Sequence, residues 1–292
     1  MEFRGAITAL VTPFRNGEVD EEAYRAFIEW QIEQGIHGLV PCGTTGESAT
    51  LSHDEHKRVI RICVDQVKGR VPVLAGAGSN NTREAIELTQ DAKDAKADGA
   101  LLITPYYNKP TQAGLVAHFK AIAERVDLPL IVYNVPSRTS VNILPESLAI
   151  LKKEARQIIG VKEATGDLNQ VSRVLEFCGL DFQVLSGDDF TALPTMAIGG
   201  RGVISVVSNF VPQKMAAMCD AVFADDWTKA RALHFEMGPL FRAAFLETNP
   251  APTKAALDMM GRFPFEVRLP MVPLEPQNLA KLKAVLTTAG LL

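Results

Sequence analysis

Cysteine is scarce, and none of it is paired in pattern. Cys42, Cys63, Cys178 and Cys219 are scattered with no CxxC spacing. That excludes a disulfide framework and leaves the free thiols of a reducing compartment as the expectation. Long apolar runs are missing as well: no stretch approaches ~18 consecutive apolar residues, so no transmembrane helix is expected. The opening MEFRGAITALVTPF has no charged region ahead of a long apolar core, so no signal peptide is expected. Strong charge of either sign is lacking. A formal net charge of -4 and a pI near 5.8 leave no polybasic footprint for nucleic acid or for an anionic membrane surface. Low-complexity segments are absent, and 17 prolines and 21 glycines without a run do not indicate disorder. The expectation is a soluble, cytoplasmic globular protein with neither nucleic-acid nor membrane partners.

What is present is apolar content and rhythm. With 292 residues and 47% hydrophobic side chains, the chain can bury a large core. Short apolar runs recur at 5–12, 38–43, 71–78, 99–105, 129–135, 158–164, 182–187 and 202–208. Amphipathic stretches such as DEEAYRAFIEWQIEQG, SHDEHKRVIRICVDQVKG and NTREAIELTQDAKDAKADG lie between them. Several of these open on a capping residue: Asp20, Ser52 with Glu55 three residues on, and Asn81 or Thr82. Eight strands, each followed by a helix, predict a (β/α)8 TIM barrel over residues 1–224. Residues 225–292 read as a C-terminal helical region packed on the barrel, since its apolar residues need a partner. A doubly wound open sheet is the alternative, because periodicity alone does not show closure. The count of eight favours the barrel.

In such barrels the active site forms at the C-terminal ends of the strands. Those ends carry GTTGE (43–47), PYYNKP (105–110), YNVPSRT (133–139) and SGDD (186–189), with Lys162 on the sixth strand. Lys162 sits near the end of the apolar run IIGVKEA, where an ammonium needs a partner, a solvated mouth or a chemical role. Desolvation lowers a lysine pKa and exposes a neutral amine, the nucleophile that makes a Schiff base with a carbonyl. Alternation turns Glu163 to the opposite face, so it is not the expected ion-pair partner. Tyr133, one strand away, suits a proton shuttle, with Thr44 and Tyr107 offering hydroxyls for a relay. The planar fork of Arg138 suits a substrate carboxylate. Thr45, with the N–H groups of the Gly43–Gly46 turn, can hold a second one.

Three other signals are weak. AGAGSN (75–80) lacks the full GxGxxG spacing of a dinucleotide site. Asp188 and Asp189 would repel phosphate where barrels usually bind it. His53 and His56 share a helical face but lack HExxH spacing and a third ligand, so no metal site is expected.

GTTGES, PYYNKPTQ, YNVPSRT, GVKEATGD and LSGDD, in this order, resemble the dihydrodipicolinate synthase family of pyruvate-dependent class I aldolases. The resemblance covers residues 3–210 closely and the helical tail more loosely. It implies a Schiff base between Lys162 and pyruvate, whose enamine attacks the aldehyde of L-aspartate-4-semialdehyde. By match of motif, Tyr133 shuttles protons through Thr44 to Tyr107, the last lent by a neighbouring subunit of a homodimer or homotetramer. Arg138 would position the semialdehyde carboxylate and Thr45 the pyruvate carboxylate. Gly187 and Ile204 would be further pocket contacts. No metal or organic cofactor is implied. The resemblance also implies feedback inhibition by L-lysine at Ser48, Ala49, His53, His56, Asn80, Glu84 and Tyr106. An N-acetylneuraminate or keto-deoxy-sugar-acid lyase would share Lys162 and Tyr133 but tends to lack Arg138. A non-catalytic amino-acid sensor would keep only the His56 and Glu84 site.

Overall fold

The computed structural model describes residues 2–292. Its barrel begins with β1 (Gly5–Ala9), followed by a short antiparallel hairpin, β2 (Phe14–Arg15) and β3 (Glu18–Val19). The remaining barrel strands are β4 (Gly38–Val40), β5 (Leu74–Gly76), β6 (Gly99–Ile103), β7 (Leu130–Asn134), β8 (Ile158–Glu163), β9 (Gln183–Ser186) and β10 (Gly202–Ser205). Around them run α1 (Glu21–Glu33), α2 (His53–Val67), α3 (Thr82–Asp94), α4 (Gln112–Arg125), α5 (Pro136–Thr139) and α6 (Pro145–Glu154). The rest are α7 (Leu168–Cys178), α8 (Ala192–Ala197), α9 (Pro212–Phe223), α10 (Trp227–Ala243), α11 (Ala251–Met259) and α12 (Pro276–Thr288).

All neighbouring barrel strands are parallel, in the order β4-β1-β10-β9-β8-β7-β6-β5. A parallel bridge between Leu39 and Val73, with the Leu39 N–H donating to Pro72 O at 3.0 Å, joins β4 to β5. That contact closes the ring and decides for the barrel over the open sheet. The apolar runs overshoot the strands at their C-terminal ends, because the following loops are buried too. Leu10, Val11 and Thr12 after β1, and Cys42 after β4, are all nearly inaccessible.

Two apolar layers follow from strand alternation. Inside the barrel lie Phe3, Ile7, Val40, Leu74, Leu101, Ile131, Leu185 and Ile204. Between strands and helices runs a second, larger core, which includes Leu240, Phe241, Leu257, Leu282 and Leu286 from the C-terminal helices. Those helices therefore share the core of the barrel's helical layer. Helix starts follow the capping residues in the sequence. Ser52 and Glu55 form a reciprocal capping box (3.2 and 2.8 Å), a device worth about 1 kcal/mol. Asp20 caps α1, and of the two candidates at α3 it is Asn81 that accepts the Arg83 N–H at 3.0 Å. No helix of the described residues is long and apolar enough to cross a membrane.

Candidate active site

A cavity of about 670 Å³ opens at the C-terminal ends of the strands. Lys162 lies in its wall, 6% exposed, and is paired in register with Tyr133 on β7 and Leu185 on β9. Its inward aim depends on an irregularity. Leu130 pairs with Ile158, but Ile131 pairs with Gly160, so β8 carries one extra residue. Ile158 and Val161 both belong to the outer core, an odd spacing that strict alternation forbids. Without the bulge, a lysine four residues after Ile158 would face the helices. Gly160 stands where a Cβ would run into the Gln183 backbone, so the strand takes this path only with glycine there.

Burial pulls the Lys162 pKa down to about 7; Asp189 acts to raise it and Arg138 to lower it further. None of the ion pairs among the described residues involves Lys162, whose Nζ lies 4.1 Å from the centroid of the Tyr133 ring. The free base, the form that attacks a carbonyl, is therefore far more accessible near neutral pH than in an ordinary lysine. Glu163 points the other way, into a polar cluster. Its carboxylate accepts from Asn134 Nδ2 (3.1 and 3.2 Å), Thr165 N (2.9 Å) and Gln170 Nε2 (2.9 Å). Burial raises its pKa, and those donors oppose the rise.

Tyr133 is 7% exposed, and burial raises its phenol pKa against the opposing effects of Arg138 and the Thr44 hydroxyl. Thr44 and Thr45 sit in a tight turn held by Gly46 N–H to Gly43 O (3.1 Å) and Glu47 N–H to Thr44 O (3.1 Å). Thr12 Oγ1 donates to Gly46 O at 2.7 Å and fastens that turn to β1's end. Arg138 stands in the one-turn helix α5, begun by Pro136 at its first position. Its side chain is exposed at the cavity rim, and no carboxylate among the described residues pairs with it. Gly187 lines the cavity where an added Cβ would stand 2.5 Å from Ala164 Cβ and 3.1 Å from Lys162 Cε. Ile204 does not reach the cavity; it lies beneath, in the barrel interior, and Val206 takes the lining position. Tyr107 is also not brought in. It is 90% exposed on a left-handed backbone (φ 73°) and lines no part of the cavity.

The C-terminal region contributes residues that the motifs did not point to. Phe241, Arg242, Phe245, Thr248 and Asn249 line the same cavity. Asn249 Nδ2 donates to Thr45 Oγ1 at 2.9 Å, which orients the hydroxyl. Only the proline breaks at Pro250 and Pro252 marked this segment in the sequence, and they signal a turn rather than a site. Asp189, which the sequence marks only as a charge unfavourable to phosphate, also bears on the site. It is buried, accepts the Val206 and Val207 N–H groups at 3.1 Å each, and burial raises its pKa to about 6.

A second cavity, of about 470 Å³, lies behind the 44–50 segment. Ser48, Ala49, His53, His56, Glu84 and Tyr106 line it, while Asn80 donates to Tyr106 O at 3.1 Å. His53 Nε2 lies 3.0 Å from Glu84 Oε1, and Ser79 donates a short hydrogen bond to the same carboxylate. Burial, and then the neighbouring His53, lowers His56 to about 4, so it is neutral at pH 7. The two histidines do not converge with a third ligand, and no metal-binding cluster of His, Cys, Asp or Glu occurs among the described residues.

A profile of the dihydrodipicolinate synthetase family matches residues 2–289. The chain belongs to that family. It is 69% identical, over the full length of both chains, to the 4-hydroxy-tetrahydrodipicolinate synthase of Nitratidesulfovibrio vulgaris strain Miyazaki F. Among solved structures, it is similar to the chloride-inhibited dihydrodipicolinate synthase of Acinetobacter baumannii in complex with pyruvate. That match has 44% identity, a TM-score of 0.96 and 99% of each chain covered. The family's enzyme from Cyanidioschyzon merolae with lysine bound is 40% identical, again with a TM-score of 0.96 and 99% coverage of both.

Proposed function

We propose that the protein is a 4-hydroxy-tetrahydrodipicolinate synthase: a lyase of the aldolase type that condenses pyruvate with L-aspartate-4-semialdehyde. The observation that carries this reading is a buried lysine near pKa 7, without a carboxylate partner, beside Tyr133 in a cavity that also holds Arg138 and Thr45. Relatives of this length and identity bear that name, which supports it. The neutral Lys162 amine attacks the pyruvate ketone, and dehydration of the carbinolamine releases water and leaves an iminium. Loss of a methyl proton gives an enamine, which adds to the aldehyde carbon. Cyclisation and release then return the free lysine. Tyr133, through the Thr44 hydroxyl, carries the protons of these steps. Thr45 and the turn N–H groups take the pyruvate carboxylate, and the unpaired Arg138 takes that of the semialdehyde. The pyruvate-bound relative supports the choice of the first substrate.

Tyr107 reaches such a relay only from another subunit, since in its own chain it projects away from the cavity. The working unit is therefore a homodimer, or a tetramer built from dimers. Mixing inactive Lys162→Ala with inactive Tyr107→Phe tests this: hybrid dimers regain one intact site and measurable activity, and no recovery contradicts sharing. L-Lysine is the inhibitor that the second cavity would take, its ammonium against Glu84 and with neutral His56 adding no repulsion. The lysine-bound relative supports this assignment.

Product formation from pyruvate with aspartate semialdehyde, compared with sugar aldehydes and titrated with L-lysine, tests the whole reading. Turnover with the semialdehyde and inhibition at millimolar lysine are expected. Preference for a sugar aldehyde overturns the substrate assignment, and indifference to lysine overturns the regulatory one.

A further inference from the structure

One buried ion pair lies outside the cavity that holds Lys162. Lys254, on α11, is fully buried, and its Nζ lies 2.5 Å from Oε1 of Glu47, which is 3% exposed. The same Nζ donates to Glu266 O at 2.8 Å and lies 4.1 Å from the centroid of the Phe14 ring. The other Glu47 oxygen accepts the Arg268 N–H at 3.1 Å.

Glu47 closes the turn that holds Thr44 and Thr45. Its backbone is left-handed (φ 54°), as is that of Cys42 (φ 55°) on the other side. A side chain larger than glycine's disfavours that conformation, so the turn is bracketed by two strained residues. Something must hold the strained end, and the side chain of Glu47 is held from the C-terminal region at both oxygens. The neighbouring residue Thr253 donates to Asn249 Oδ1 at 3.3 Å, and Asn249 in turn holds Thr45 Oγ1. Two tethers thus run from the start of α11 to one turn, one through Lys254 to its backbone corner and one through Asn249 to its hydroxyl.

We infer that the Lys254–Glu47 pair positions the Thr45 turn for the pyruvate carboxylate, from behind and without touching substrate. The inference rests on the proposed pyruvate site. With the clamp gone, Glu47 relaxes out of the left-handed region, and the hydroxyl and N–H groups lose their common aim. The loss falls on substrate binding, because Lys162 and Tyr133 stand on β8 and β7 and are held independently.

The test is a steady-state comparison of the wild type with Lys254→Met/Glu47→Gln and with Glu47→Gln alone. Replacing both partners by neutral groups of similar shape leaves no unpaired buried charge. Glu47→Gln keeps the acceptor for the Arg268 N–H, and burial already favours the neutral Lys254 amine, lowered to about 8. The single variant therefore keeps the readout if the double one does not fold. The KM for pyruvate is expected to rise about tenfold or more, the loss of one to two charge-assisted hydrogen bonds, while kcat stays within about threefold. Borohydride trapping at saturating pyruvate remains complete. A folded variant with an unchanged KM, or with kcat reduced at unchanged KM, overturns the inference. Failure of the wild type itself to be trapped by pyruvate overturns the site reading instead.

Discussion

Two lysines in this molecule are buried, and they meet opposite surroundings. Lys162, at the barrel mouth, has an aromatic face beside it and no carboxylate in contact, and its pKa falls to about 7. Lys254, behind the Thr45 turn, has a similar aromatic face but also Glu47 at 2.5 Å and a backbone carbonyl, and falls only to about 8. Burial acts first on both. What differs is whether a counter-charge offsets it. The paired lysine has its charge offset where it is buried; the unpaired one does not, the setting in which an amine nucleophile is expected, at a cost in stability.

The sharpest way to break this contrast is to replace each lysine by methionine. Lys162→Met should abolish the Schiff base and lower kcat by on the order of 10⁴-fold or more. It should also stabilise the fold by one to a few kcal/mol at pH 6, since each pKa unit lost to burial costs ~1.4 kcal/mol. That cost is complete below about 7 and disappears as pH approaches 10.5, so the gain should shrink in alkaline buffer. Lys254→Met should do the reverse, with kcat within a few-fold but stability down by about 3–5 kcal/mol, because Glu47 is left buried and unpaired. Denaturant melts and initial rates on both variants decide it; two variants losing stability alike would erase the distinction.

Smaller changes sharpen the mouth region. Tyr133→Phe keeps the ring beneath the amine and removes the phenol, so kcat should drop by about 10²–10⁴ with little change in melting temperature. Gly187→Ala places a methyl against Lys162 Cε and Ala164. A shift of the amine by about 1 Å should cost roughly 10² in rate, and crystallography of the variant would show whether Lys162 moved. The smallest effect concerns protonation. The rate of pyruvate adduct formation should rise with pH through about 7, because the neutral amine is the nucleophile. Asp189→Asn removes the charge that raises the Lys162 pKa, and should move this acid limb lower by about one unit. A limb that stays fixed in the variant, or lies near 10, contradicts the assignment.

The barrel was legible because its signals are local. Eight apolar runs, caps at Asp20 and Ser52, and the glycine-bounded turns each follow from a few neighbouring residues. Lys162, Tyr133, Thr44, Thr45, Arg138 and Gly187 could be placed at one rim for the same reason, as residues at strand ends. Four features were not legible in this way. The bulge at Ile159, which gives Lys162 its inward aim, leaves no mark in the alternation except two apolar residues at an odd spacing. Asn249 and Lys254 lie more than 200 positions from the turn they hold, and only tertiary packing brings them there. Ile204 matches a motif position but lies one layer below the cavity. Tyr107 also matches a motif position but lies outside the cavity lined by its own chain.

The most direct test of the central claim uses the wild type at pH 7, incubated with pyruvate and borohydride and followed by intact mass and peptide mapping. A single reduced pyruvyl adduct on Lys162, with Lys254 unmodified, is the predicted result. No adduct, or an adduct on Lys254, would contradict the account.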